Sequence, residues 1–327
     1  MELPVALDAM GGDRAPGEIL AGARLAVERG FAVQLVGRTA DLGDLGDLAV
    51  LEASEVIEMH DDPAQGVRRK KDASVVRAAE LVRDGKASAM VSAGNTGAAM
   101  VAALLRMGRI KGVSRPAIAT TLPTPGRSDQ PPTVLLDSGA NAECHPEWLV
   151  LFAQMGSVYF RHRYEVARPK VGLMSIGEES MKGNTLVKTT HELLAQRGEV
   201  NFVGNVEGRD VLTDRVDVVV TDGFTGNVLL KGMEGASAAV SQAFLDALIV
   251  HPELSAVGAD VQAVLDPLLE SIDYETYGGA MLLGVEGVCL IAHGSSQARA
   301  VANAVQLAQE LFDGDVVGAL RAAVGKG

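Results

Sequence analysis

The chain has 327 residues, 47% of them hydrophobic, with 29 Lys and Arg against 42 Asp and Glu and a formal net charge of −13. That length buries one large core or two modest ones, and the negative charge argues against general nucleic-acid binding. Cys144 and Cys289 make no CxxC pair and no disulfide framework, which disfavours a structural zinc site and suits a reducing compartment. The chain enters its first strand without a basic leader, and no apolar run reaches the ~18 residues of a membrane span, so a cytoplasmic protein is expected.

In chain order, strands are expected at Val5 to Ala9 and Phe31 to Val36, with a helix over Gly17 to Arg29 between them, Pro16 standing near its first turn. A helix around Ala40 to Leu48, a strand around Glu55 to Met59 and a polar stretch from Asp61 to Asp72 follow, before a helix through Arg83. A buried strand, Ala87 to Ala93, then leads through Gly-Asn-Thr-Gly at 94–97 into the helix ending at Arg106. Further strands are expected at Ala117 to Thr121, Thr133 to Asp137, Lys170 to Ile176, Val200 to Gly204 and Val288 to Ala292. Helices are expected at Glu147 to Phe160, Thr185 to Gln196 and Gln297 to Phe312. Val216 to Gly232 repeats the strand, glycine turn and helix, and Ala236 to Val250 and Leu254 to Ile272 read as a helical pair. Alternating strands and helices, with strands rich in Val, Ile, Leu and Ala, predict a mainly parallel sheet covered on both faces in one α/β domain over 1–327.

Ligands of such sheets bind beyond the carboxyl ends of the strands, where most of the polar glycine loops fall. A glycine turn opening a helix offers free N–H groups and the positive end of the helix dipole to a phosphate or carboxylate. Ser92, Gly94, Asn95, Thr96 and Gly97 form one such turn, and Asp222, Thr225, Gly226 and Asn227 a second, so two turns could hold one ligand between them. Strand-to-helix turns also need glycine for backbone reasons alone. GxGxxG, GxxxxGK[ST] and GxSxG are all missing from the sequence. Lys182 and Asn184 stand in a glycine loop at a helix start, a position unfavourable to a cation unless an anion shares it, which suggests ligand contact, with a solvated loop lysine as the alternative. Arg68, Arg69, Lys70 and Lys71 precede a helix, where an anionic ligand or acidic partner would relieve their repulsion; a solvated charge run is the alternative. His293, before Gly-Ser-Ser, is a ligand candidate, with capping by Ser295 or Ser296 as the plain alternative. Asp8, Asp13, Asp137, Glu178 and Asp222 sit at strand ends without metal-box spacing, and Cys144 beside His145 is read as structural.

Taken as a set, Asp-Ala-Met-Gly-Gly-Asp at 8–13, Arg-Arg-Lys-Lys at 68–71, Ser-Ala-Gly-Asn-Thr-Gly at 92–97, Gly-Ala-Asn at 139–141, Ile-Gly-Glu-Glu at 176–179, Lys-Gly-Asn at 182–184, Gly-Asn-Val-Glu-Gly-Arg-Asp at 204–210, Asp-Gly-Phe-Thr-Gly-Asn-Val at 222–228, Tyr-Gly-Gly-Ala at 277–280 and His-Gly-Ser-Ser at 293–296 closely resemble the PlsX-type phosphate acyltransferases. The resemblance covers essentially the whole chain. It implies a Rossmann-like three-layer α/β/α fold related to phosphotransacetylases and isopropylmalate-type dehydrogenases, and a homodimer. It further implies conversion of acyl-[acyl carrier protein] and inorganic phosphate to acyl phosphate and free carrier protein, without cofactor, ahead of a glycerol-phosphate acyltransferase in bacterial phospholipid synthesis. Lys182 and Asn227 match the family's proposed catalytic pair, and Arg68 to Lys71 suit docking of an acidic carrier or the phosphates of CoA. Peripheral membrane contact through 236–272, using Phe244, Leu245, Leu248, Ile249, Leu265, Leu268 and Leu269, is implied too. However, no Lys or Arg lies between Lys231 and Arg299 to attract anionic lipid, and dimer packing is the competing use of those side chains. Transfer from acyl-CoA and a non-catalytic phosphate-binding protein are the alternative functions.

Overall fold

The computed structural model describes residues 3–124, 131–250 and 274–325, with the backbone alone for residues 244–245, 247–250 and 274–275. The helix expected at Leu254 to Ile272, and the apolar side chains named above for membrane or dimer contact, lie outside the described residues.

Short, fully buried runs such as Val218–Val220 supply strands that must hide both faces, as an α/β sheet requires. In chain order these are β1 (Val5–Asp8), β2 (Val33–Gly37), β3 (Ala49–Glu52), β4 (Ala89–Ser92), β5 (Ala117–Leu122), β6 (Thr133–Leu136), β7 (Lys170–Met174), β8 (Asn201–Val206), β9 (Val218–Val220), β10 (Ala280–Leu283) and β11 (Val288–Ile291). All belong to one sheet, ordered β3-β2-β1-β4-β11-β10-β5-β6-β9-β7-β8. One block, β3-β2-β1-β4-β11, is parallel throughout, and so is the other, β6-β9-β7-β8. Between them β10 is antiparallel to β11 and β5, and β5 is antiparallel to β6. Three reversals leave the two blocks pointing in opposite directions, joined by a mixed seam.

The helices are α1 (Gly17–Glu28), α2 (Thr39–Leu42), α3 (Pro63–Arg69), α4 (Ser74–Arg83), α5 (Thr96–Arg106), α6 (Pro146–Tyr164), α7 (Thr185–Ala195), α8 (Gly223–Val250), α9 (Ala298–Asp313) and α10 (Val316–Val324). Alternate strand residues divide between the two faces, as the two-residue strand period demands. Leu7, Val218 and Val220 join side chains of α1, α6 and α9 in one core. Ala6 and Met90 join α4 and α5 on the opposite face, and Val219 meets Leu229 and Leu230 of α8. The expected three-layer arrangement is therefore observed. Phe152, Tyr159 and Phe160 of α6 are among the largest buried side chains, each contributing about 1.5–3 kcal/mol of apolar burial.

Several expected elements differ. The helix at 40–48 is only α2, and β3 follows it, because Leu42 turns into the core and the chain then extends along β2. The strand at 55–59 reduces to one bridge, Glu55 with Ala73. The polar stretch 61–72 contains α3, capped by Asp62, whose side chain accepts from the Gln65 N–H at 2.8 Å. β10 and α10 were not expected.

Candidate active site

The first glycine turn leaves β4 at Ser92. The Ser92 hydroxyl donates to Asp8 at 2.7 Å and accepts the Gly94 N–H at 3.2 Å. Burial pushes the Asp8 carboxyl above its usual range, against hydrogen bonds from Ser74, Ser92 and the Met10 and Gly11 amides. A Cβ on Gly94 would stand 3.0 Å from the Gly11 Cα, so the loops after β1 and β4 touch backbone to backbone. Asn95 caps α5, its Oδ1 accepting the Ala98 N–H at 3.0 Å. Its Nδ2 lies 3.2 Å from each of the Glu58, Met59 and Asp61 carbonyls, so both ends of the side chain serve structure. A Cβ on Gly97 would lie 2.6 Å from the Pro63 ring, so this glycine seats α3 against α5. Gly94, though buried, and the exposed Thr96 both line the cleft described below.

The second turn is built on Asp137, just past β6. Its carboxylate accepts N–H bonds from Ile118, Gly139, Ala140 and Asn141 at 2.8–3.1 Å, and from the Asn141 side chain at 2.9 Å. Burial nevertheless lifts its pKa above the usual carboxylate value. Against this loop packs the opening of α8, so the expected Gly-Phe-Thr-Gly-Asn turn is in fact helical. Asp222 caps it, accepting from the Thr225 N–H at 2.9 Å and hydroxyl at 2.8 Å. A Cβ on Gly226 would come 1.9 Å from the Asp137 carbonyl oxygen, so no larger residue fits. Asn227 follows one turn inside the helix, where its Nδ2 donates to the Ser138 carbonyl at 3.2 Å.

Both turns open on one cleft of about 290 Å³, lined by Gly94, Thr96, Ser138, Asn227, Lys231, Tyr277 and His293, among others. Between the two turns the lining is completed by β5, the start of β10 and the loop after β11. At its wall Lys231 Nζ is 3.1 Å from His293 Nε2 and 2.8 Å from the Glu234 carboxylate, while His293 Nδ1 is 2.7 Å from the Ser295 hydroxyl. Burial, then the Lys231 charge, holds the His293 imidazole below its ordinary pKa, partly offset by Glu234 and Asp13. Neither Ser295 nor Ser296 caps α9; its N-cap residue is Gln297, and the Ala298 N–H donates to the Glu18 carboxylate at 2.7 Å. Sequence reasoning missed Lys231 and Glu234, although Asn227, Lys231 and Glu234 recur at i, i+4 and i+7, the spacing of one helix face.

The remaining expected residues lie elsewhere. Lys182 is exposed in the loop between β7 and α7, outside the cleft lining. Asn184 caps α7, accepting from the Val187 N–H at 3.0 Å. Arg68 and Arg69 close α3, where cations complement the dipole, and Lys70 pairs with Asp61 at 2.6 Å; the repulsion expected at 68–71 is thereby relieved within the chain. Arg68, Arg69 and Lys71 remain exposed. Cys144, half-buried near Asp137 and Asp222, has its thiol pushed up to about 12, mainly by burial, which leaves no thiolate for nucleophilic attack. Among the described residues, no three His, Cys, Asp or Glu side chains group as metal ligands.

The sequence matches the family model described as fatty acid synthesis protein over residues 3–318. It is 46% identical to the phosphate acyltransferase of Pelotomaculum thermopropionicum, covering 98% of this chain and 95% of that one. It is 47% identical to the phosphate acyltransferase of Synechocystis, covering 95% and 91%. A phosphotransacetylase from Streptococcus pyogenes matches the structure with a TM-score of 0.60 at 14% identity, covering 95% of this chain and 94% of the other. A 4-hydroxythreonine-4-phosphate dehydrogenase from Klebsiella pneumoniae matches with a TM-score of 0.52 at 13% identity, covering 95% and 98%; both likenesses concern the fold. The chain belongs to the PlsX family of fatty acid synthesis proteins and, like its relatives named phosphate acyltransferase, is an acyl-transferring enzyme.

Proposed function

We propose that the chain converts acyl-[acyl carrier protein] and inorganic phosphate to acyl phosphate and free carrier protein, supplying phospholipid synthesis. The observation that carries this reading is the cleft shared by both glycine turns, with an amide, an ammonium and a helix start along its wall. Phosphate is largely a dianion near neutral pH and attacks the thioester carbon directly once held in line. Cys144 has no thiolate to offer, in keeping with a reaction that needs no acyl-enzyme. Asn227 spends one N–H on the Ser138 carbonyl and keeps a second for the tetrahedral oxyanion; losing such a donor costs ~3 kcal/mol, or about 100-fold in rate. The Gly94 to Thr96 turn at the start of α5 receives the phosphate.

The carrier docks on the exposed Arg68, Arg69 and Lys71. The loop before α3 supplies the carbonyls that hold Asn95, and Met59 of that loop lines the cleft, so a carrier bound there stands at the mouth. Lys182 acts from outside the lining, with its role resting on the family resemblance. The enzyme works as a homodimer. The test is acyl phosphate formation from long-chain acyl-[acyl carrier protein], trapped with hydroxylamine under conditions that spare the thioester. Product that depends on phosphate is expected. Product from acyl-CoA alone would assign the chain to acyl-CoA transfer, and none from either would leave a phosphate-binding protein.

A further inference from the structure

Lys182 is exposed, but the turn that presents it is held from inside the protein. The Glu179 carbonyl accepts the Lys182 N–H at 2.9 Å and the Asn205 Nδ2 at 2.9 Å. A carbonyl can only accept, so the amide nitrogen of Asn205 faces it and the amide oxygen faces the other way. That oxygen lies 2.9 Å from His191 Nδ1. An amide oxygen can only accept too, so Nδ1 carries a hydrogen. Every bond from His191 through Asn205 and Glu179 to Lys182 therefore has one direction. Asn205 is 1% exposed, where a polar group left without its partner is strongly unfavourable.

β8 is bent to bring Asn205 there. Phe202 and Asn205 are three residues apart, and in a regular strand they would face opposite sides of the sheet. Both nevertheless meet His191 of α7, Phe202 through an edge-on ring contact at 5.1 Å. The register slips between them: Val171 pairs with Phe202 and Gly172 with Gly204, so Val203 is the extra residue, and Gly204 takes a φ of 99°. Such a bulge re-aims the side chains beyond it. On the other side of the turn, the Lys182 stem lies across Gly177, where a Cβ would come 2.9 Å from Lys182 Cγ. The neighbouring Glu178 carboxylate is already taken by Arg215. A lysine that needs only solvent requires neither a bulge nor a buried amide behind its turn.

We propose that Asn205 and His191 are positioning residues for Lys182, fixing the 179–182 turn so that its ammonium is presented to the anionic substrate. This rests on the acyl phosphate reading above and on the part given there to Lys182, and deepens both.

The test is a double-mutant cycle on acyl phosphate formation, with wild type, Lys182→Ala, Asn205→Ala, His191→Leu and the two double variants that contain Lys182→Ala. Asn205→Ala and His191→Leu are each expected to lose about tenfold or more in kcat, as misplaced catalytic groups do, but under about twofold once Lys182 is already replaced. His191→Asn, which keeps an N–H at the place of Nδ1, is expected to return to within about threefold of wild type. Thermal melts identify any variant that fails to fold. His191 is only partly buried on α7, so its two substitutions decide the matter if Asn205→Ala does not fold. Equal losses in the wild-type and Lys182→Ala backgrounds, or equal activity of His191→Leu and His191→Asn, would overturn the inference and leave the acyl phosphate reading in place. Full activity of Lys182→Ala would do the same and would also remove Lys182 from catalysis. A wild type that forms no acyl phosphate would overturn both.

Discussion

The two glycine turns share Thr, Gly and Asn in sequence, yet they place their asparagines in opposite roles. In the first, Asn95 is the residue just before α5, and its side chain is consumed by the Ala98 N–H and the 58–61 carbonyls. In the second, Asp222 takes the capping position, which carries Asn227 one turn into α8 and leaves its amide on the cleft wall. A polar residue at the N-cap satisfies the helix, whereas the same residue one turn later is released for a ligand. The position relative to the cap, rather than residue type, separates the asparagine consumed by structure from the one we propose for the ligand.

That contrast can be broken most forcefully at the glycines. Gly226→Ala would drive a methyl to 1.9 Å from the Asp137 carbonyl, whereas Gly94→Ala meets the Gly11 Cα at 3.0 Å. Overpacking ordinarily costs ~1–3 kcal/mol. Gly226→Ala should exceed the top of that range and Gly94→Ala fall near its bottom, as measured by urea denaturation; equal costs would mean that the α8 start is not locked onto the β6 loop. Next in size, Asn227→Ala should lower turnover by about 100-fold with little change in stability. Asn95→Ala should lower stability by ~1 kcal/mol or more through its lost cap. The reverse pattern would invert the assignment of roles.

Smaller still is the pH effect at Asp8 beneath the first turn. Its folded-state pKa lies above the ordinary 3.8, so the folded state binds the extra proton. The stability this contributes is complete below 3.8 and is lost as pH rises through the folded value. Asp8→Asn cannot titrate, so its stability relative to wild type should rise with pH over that window in urea melts. Parallel curves for the two proteins would show that burial does not raise the Asp8 pKa.

How legible this molecule is in sequence follows from where its constraints originate. Runs such as Val218–Val220 and Thr133–Leu136 announce buried strands, because they must be apolar on both faces. β10 is hidden, since an antiparallel insertion needs no crossover helix, and its Ala-Met-Leu-Leu follows two glycines with φ of 80° and 108° that read as a loop. The start of α8 is hidden for a tertiary reason: Gly223 and Gly226 are poor helix formers required by contact with the Asp137 loop. In the site, the paired turns and His293 are visible as strand-end motifs. The Lys231 to His293 contact joins residues 62 positions apart, and only the i, i+4, i+7 spacing on α8 hints at it. The helix that the basic run at 68–71 closes is hidden within the polar stretch 61–72, where only Asp62 and Pro63 mark its start.

The most direct measurement is a crystal structure of the protein grown with inorganic phosphate, read together with that of Asn227→Ala. The account predicts an anion in the shared cleft, bonded by the Gly94 to Thr96 turn and within reach of Asn227 and Lys231. An anion seated instead at the Lys182 loop, with the cleft holding none, would contradict the claim that the two turns form one active site.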